Sequence, residues 1–261
     1  MIWQTLYQSA YGCVTWHGDC AQTGDELNGF LQGPVAARLH DSKGSEELSE
    51  HLQGLSLTGM GLDALQAVLD AELPETRDWA AGEALAEALL QDQHDVVLPW
   101  NNERDKRNPF ASLPGADIVG FQRQGSSYRL ALGEVKCSSE EKWPPQVMSG
   151  RSGMIHQLET LASHLGTLCQ LLKWLLPRVK NTEYQPAFDA ACRRYFESGN
   201  RDLALFGVLI RDQSASEMDL KNRGKALAKC VHAPTDCHLI ALYLPWPIKQ
   251  LPAVITQGGA T

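Results

Sequence analysis

Asp117, Glu134 and Lys136 are the residues whose types and spacing suit chemistry. Sixteen residues separate the Asp from the Glu, and only Val135 stands between the Glu and the Lys. Ala116 to Gln122 and Tyr128 to Lys136 are both rich in strand-forming residues. The polar run Arg123-Gln124-Gly125-Ser126-Ser127 between them predicts a hairpin. Side chains alternate along a strand, so Asp117, Val119 and Phe121 share a face, as do Leu130, Leu132, Glu134 and Lys136. A tight turn centred on Gly125-Ser126 pairs Gln124 with Ser127 and, counted back pair by pair, Asp117 with Glu134. Their Cβ atoms would then lie about 5 Å apart. A slip of one residue would destroy the match.

Two carboxylates so placed repel each other unless something compensates them. A hard divalent cation such as Mg²⁺ does so directly, and the ammonium of Lys136 adds positive charge beside it. Such a cluster can hold a metal, activate a water and stabilise charge on a phosphoryl group. The plainer reading is three ordinary polar side chains on a solvated face, because charged residues are mostly exposed. Against it, the same face carries Val119, Phe121, Leu130 and Leu132. It is apolar at one end and ionic at the other, which suits a site at the rim of a core.

The elements that must position these residues follow from periodicity. Asp78 to Gln91 is dominated by Ala, Leu and Glu and predicts a helix. Its stripe of Trp79, Gly82, Ala86, Leu89 and Leu90 contains Glu83, a charge inside a core-facing surface, with Glu87 at its border. Asp95 to Leu98 reads as a short strand. Trp100 to Phe110 is a polar loop whose Arg104, Lys106 and Arg107 are either solvated or placed to meet phosphates. After Pro144-Pro145, one long helix is expected over Gly153 to Leu176, with Arg151 and Gln157 near its start able to face the site. Pro177 would end it. Ala187 to Ser198 predicts another helix and Leu203 to Ile210 a buried central strand. Met218 to Cys230 predicts a helix with a basic face of Lys221, Arg223, Lys225 and Lys229, and His238 to Leu244 a further strand. The tail beyond Pro245-Trp246-Pro247 reads as loosely ordered.

Residues 1 to about 73 say least. Gly12 to Trp16 has room for a short strand, and Ser45 to Gln53 and Leu62 to Leu73 look helical. Cys13, His17 and Cys20 match no zinc spacing, and Cys237 and His238 are adjacent and point to opposite strand faces, so free thiols are the better reading. Seven scattered cysteines form no disulfide framework, and no secretory signal or bilayer-length apolar run is apparent. A cytoplasmic protein is expected. With 261 residues the chain can bury one large core, but its net charge of −8 fits poorly with unaided nucleic-acid binding.

Asp117 followed by Glu134-Val135-Lys136, with Gly115-Ala116 before the Asp, resembles the signature of the PD-(D/E)XK nuclease superfamily. The expected order of helix, three strands, helix and strand from about 76 to 212 resembles that family's αβββαβ core. The resemblance implies an α/β fold, a restriction-endonuclease-like core with a central mixed sheet flanked by helices. Residues 1–75 would be an N-terminal extension, helical with a short strand, and 76–261 the nuclease-like domain with an added C-terminal helix and strand.

The resemblance also implies Mg²⁺-dependent hydrolysis of DNA phosphodiesters, with Mn²⁺ as a substitute metal. Asp117 and Glu134 would hold the ion, with the Val135 carbonyl as a further ligand. Lys136 would orient or deprotonate the attacking water, and Glu83, preceded by Gly82 as in the family's local pattern, would complete the acidic cluster. The Pro114-Gly115-Ala116-Asp117 context, the size and the acidic charge are similar to the nuclease subunit of the Hachiman anti-phage system, which works with a helicase partner. The alternatives are a stand-alone restriction or repair endonuclease, or a catalytically inactive scaffold of the same fold.

Overall fold

The computed structural model describes residues 2–55, 57–71, 75–106 and 115–257. In chain order the elements are β1 (Trp3–Tyr11), β2 (Val14–Ala21), α1 (Asp25–Phe30), a π-helical turn (Leu31–Val35), α2 (Ala36–Leu39), α3 (Ser42–Gln53), α4 (Gly59–Leu69) and α5 (Asp78–Gln93). Then come β3 (Val96–Val97), β4 (Ile118–Gln124), β5 (Ser127–Ser138), α6 (Met154–Ser163), α7 (Leu165–Val179), α8 (Gln185–Glu197), β6 (Leu203–Arg211), α9 (Lys221–Leu227), β7 (Asp236–Tyr243) and α10 (Leu251–Gln257). The fold is α/β, and from α5 the chain runs through three strands (β3 to β5) and three helices (α6 to α8) to β6, the expected αβββαβ order with two further helices before its last strand.

Seven strands form one mixed sheet in the order β1-β2-β7-β6-β5-β4-β3. The centre, β2 to β5 through β7 and β6, is parallel, and antiparallel pairs close both sides. β6 is buried along its whole length, as its unbroken apolar run predicts. One face of the sheet carries Ile118, Val135, Val208 and Ile240 against α5. The other carries Phe121, Leu130, Leu205 and Leu239 against α6 to α9.

α5 sits unusually deep. Ten of its residues, from Ala80 to Leu90, are buried, so it has no solvated stripe to oppose the sheet. Its small alanines permit close approach, and Gly82 demands it: a Cβ there would meet Cys137 Sγ at 2.3 Å. The outer side of α5 is covered by α2, the π-helical turn and α10. As far as Gln257 the tail is therefore ordered rather than loose, and Ile248, Leu251 and Ile255 are buried in that layer.

Three other expectations change. The N-terminal residues form a full hairpin, β1 with β2, and β2 joins β7, so the division at residue 75 does not divide the sheet. The expected long helix breaks at His164, whose backbone is extended (φ −93°, ψ 97°) and whose ring caps α7 by accepting from Thr167 N. Pro177 lies inside α7, not beyond it. The expected basic helix over 218–230 shrinks to α9, where Gly224 lies against Trp16 and Lys221 pairs with Glu217 at 2.8 Å. α3 and α4 carry no buried residue, and Leu73, expected within the second of them, lies outside the described residues.

Candidate active site

The hairpin adopts the register read from the sequence. Gln124 pairs with Ser127 and Ile118 with Gly133, and Gly125 takes the positive φ of 58° that the turn requires. Asp117 stands one residue before β4, so the same register places it beside Glu134. Its Oδ2 accepts a hydrogen bond from Val135 N at 2.8 Å, and Asn102 Nδ2 donates to its carbonyl at 3.4 Å. Lys136 Nζ donates to Glu134 Oε1 at 2.5 Å.

These groups open into a cleft of about 530 Å³ at the end of the hairpin, under the first turns of α5. Glu83, Asp117, Glu134, Val135 and Lys136 all line it, so every site residue expected from the sequence is brought together. Gln157 also lines it from α6, with its Oε1 buried and without a hydrogen-bond partner. Arg151 is exposed and does not contribute. Trp79, Asp78 and the Cys137 thiol complete the walls. Trp79 stands one helical turn before Glu83, a spacing that marks both for the same side of α5.

The cleft has a surplus of acid. Glu134 is 2 % exposed. Burial, then the charge of Asp117, pushes its carboxyl up to about 7 despite the Lys136 ammonium. The same two causes, with Glu87 third, push Glu83 up to about 9. Burial also raises Asp117, against the Val135 amide and Lys136, and Asp117 and Glu134 are close enough to share a proton. Burial raises Glu87 as well, although Arg38 Nε bonds it at 2.6 Å. Three carboxyls thus line one cleft, with Lys136 bonded to Glu134 and Lys106 opposing Glu83 from the loop.

That donor set fits Mg²⁺. The ion takes one or two protein carboxylates and completes its shell with water and phosphate oxygens. Among the described residues no three His, Cys, Asp or Glu side chains form a group that could hold a metal ion.

The loop cations do not reach out as phosphate contacts. Arg104 is held by Asp41 (2.7 Å) and Glu47 (3.2 Å), and Lys106 by Glu103 and by Glu75 at 3.3 Å. Arg107 and Pro114 lie outside the described residues. His17 and His238 do approach one another, but through His94: ring centroids lie 6.1 Å and 5.8 Å from it, and each outer ring pairs with its own aspartate. The cysteines are free thiols, as expected.

Compared with protein-family models and with curated proteins, the sequence matches none. Among the described residues no helix is long and apolar enough to cross a membrane.

Proposed function

We propose that the chain is a Mg²⁺-dependent nuclease that hydrolyses DNA phosphodiesters. The observation that carries the reading is the acid surplus: Glu83, Asp117 and Glu134 line one cleft in which Lys136 is the one cation among the described lining residues. Carboxylates that raise one another's proton affinity are matched to a cation stronger than an ammonium.

In this reading Asp117 and Glu134 hold the ion, with Mn²⁺ able to replace it, and the Val135 backbone supplies a further oxygen. The bound ion would polarise the phosphoryl group and lower the pKa of a water. Lys136 orients that water or takes up charge on the phosphate, held in place by Glu134. Glu83 adds to the field that draws the ion, and Gln157 offers an amide to the substrate or water. Net charge −8 and the neutralised loop cations leave little to hold a duplex. A DNA-holding partner, such as the helicase of an anti-phage defence complex that the sequence resemblance implies, would supply that grip.

The test is plasmid cleavage with Mg²⁺ by the wild type and by a Glu134→Ala/Lys136→Ala double variant, alone and with proteins recovered from the native operon. Metal-dependent cleavage lost in the variant is the expected result. Equal activity in both proteins would remove the assignment.

A further inference from the structure

Lys106 keeps its charge out of water. Its side chain is 5 % exposed, and its Nζ is held by Glu103 and, at 3.3 Å, by Glu75. The ammonium lies 5.3 Å from the ring centroid of Trp79, and the Arg77 guanidinium carbon 4.5 Å from the same ring. Trp79 is part of the cleft wall, so both cations stand at that wall. Arg77 bonds Glu75 and also meets the charges of Glu103 and Glu83. Burial, Asp117 and Glu87 raise the proton affinity of Glu83, and the charge of Lys106 lowers it. A buried ammonium is costly unless carboxylates surround it. As a compact point charge, it asks of its neighbours what a small cation asks, oxygen atoms on several sides.

The balance of charge across the cleft follows from this. Glu75, Glu83, Glu103, Asp117 and Glu134 are opposed by Arg77, Lys106 and Lys136. Glu87 has its own cation in Arg38, and Asp78 is exposed to solvent. The surplus is two negative charges, the charge of one divalent ion. Centres that use two metals hold them roughly 3.5–4 Å apart, with carboxylates free to serve both. Here the acids divide. Asp117 and Glu134 share Lys136 alone, whereas Glu75 and Glu103 already hold cations of the chain itself. Glu83 stands under both influences, raised by Asp117 and lowered by Lys106.

We propose that the cleft takes one divalent cation and not two, because the Lys106 ammonium, tethered by Glu75 and Glu103, fills the place beside Glu83 that a second cation would take. The inference rests on the metal-dependent reading of the cleft, and adds to it the number of ions and the residue that sets that number.

The experiment counts bound ions. The full chain, stripped with EDTA, is titrated with Mn²⁺, and the free ion is read from its electron paramagnetic resonance signal. The wild type is expected to bind about one Mn²⁺ per chain and Asp117→Asn none. Lys106→Met should bind about two, and Glu103→Gln/Lys106→Met should return to about one. Lys106→Arg, which keeps the charge, should stay with the wild type. Should Lys106→Met fail to fold, Lys106→Gln takes its place, since its amide can still bond the two glutamates without the charge. Two ions in the wild type, or a single ion in both the wild type and the neutral variant, overturns the proposal and leaves the metal-dependent reading standing. No ion in the wild type but one in the neutral variant would do the reverse: Asp117 and Glu134 would lose their metal, and Lys106 would remain the occupant of a cation site. No ion in either protein would end both.

Discussion

Two buried ionic clusters sit on the same sheet and are balanced in opposite ways. At one end of β5, Arg129 is 2 % exposed and bonds both oxygens of Asp236 at 2.7 Å. It also donates to Gln122 Oε1 and lies 3.7 Å from Asp202, which Arg194 holds at 2.5 Å. Each carboxylate there faces a guanidinium. Burial pushes the Asp236 carboxyl up, but bonds from His238 and Arg129 hold it below its usual range. At the other end of the same strand, Glu134 shares Lys136 with Asp117, Glu83 lines the same cleft, and all three acids are raised. A buried ion set that closes on itself serves the fold; one left with surplus charge is set up for something that arrives later.

The strongest way to break this contrast is to remove the unbalanced set. Glu134→Ala/Lys136→Ala should lower Mg²⁺-dependent cleavage by about a thousandfold or more. The same variant should melt no lower than the wild type in EDTA, because it relieves repulsion. A large fall in melting temperature without activity loss would make the cleft a structural cluster like the first. Conversely, Arg129→Met should cost about 1–3 kcal/mol in urea denaturation, since it takes the guanidinium from Asp236 and leaves Asp202 with Arg194 alone. Cleavage per folded molecule should stay near wild type.

A third measurement sharpens the assignment of the surplus. Mg²⁺ at a hundred times its dissociation constant should stabilise the folded chain by roughly 2.7 kcal/mol, and Asp117→Asn should abolish most of that gain. A melting temperature that ignores Mg²⁺ in the wild type would argue against a metal site. The metal-free protein carries a matching pH signature. The Glu134 and Glu83 carboxyls rise from 4.5 to about 7 and about 9 on folding. The folded state then holds protons that the unfolded chain has released, so metal-free stability should fall as pH rises from about 4.5 toward 9. Glu83→Gln/Glu134→Gln should flatten that slope, and saturating Mg²⁺ should do the same in the wild type. Chemical denaturation across pH, with and without EDTA, reads both.

The sequence makes these two regions unequally visible. The hairpin and its acids were readable because a Gly-first turn and strict alternation fix one register, and a register fixes neighbours. Glu83 was readable because a charge inside an apolar helical stripe has no packing reason. The balanced cluster was not readable, since Arg129, Asp202 and Asp236 are far apart in the chain and each looks like an ordinary surface charge. The same holds for the cations over the Trp79 ring, Arg77 at 4.5 Å and Lys106 at 5.3 Å from its centroid, the second of which comes from another loop. β1 escaped because it is an edge strand with exposed Gln4, Thr5 and Gln8, so it has no apolar alternation. The break at His164 escaped because the leucine spacing runs across it undisturbed. α10 escaped because it is short and follows a Pro-rich break, although it seals the outer side of α5.

α5 links the two kinds of cluster, for its second turn carries Glu83 and its last residue precedes His94. The His94 ring packs 6.1 Å from His17, 5.8 Å from His238 and 5.6 Å from Phe206. Burial, then the charges of His238 and His17, lowers its pKa from 6.5 to about 4, with Asp19 and Asp95 opposing. The folded state therefore binds fewer protons here than the unfolded chain between those values, and this contribution to stability is lost as pH falls from about 6.5 to 4. It opposes the carboxyl slope in the overlapping window, so it is best read in the Glu83→Gln/Glu134→Gln background. There, acid should destabilise the protein, and His94→Gln should make the remaining pH dependence shallower. An unchanged slope would mean that the three rings separate, or that His94 takes a proton in place. Either result would show that the sheet tolerates charge at this end of α5, as it must tolerate it at the other.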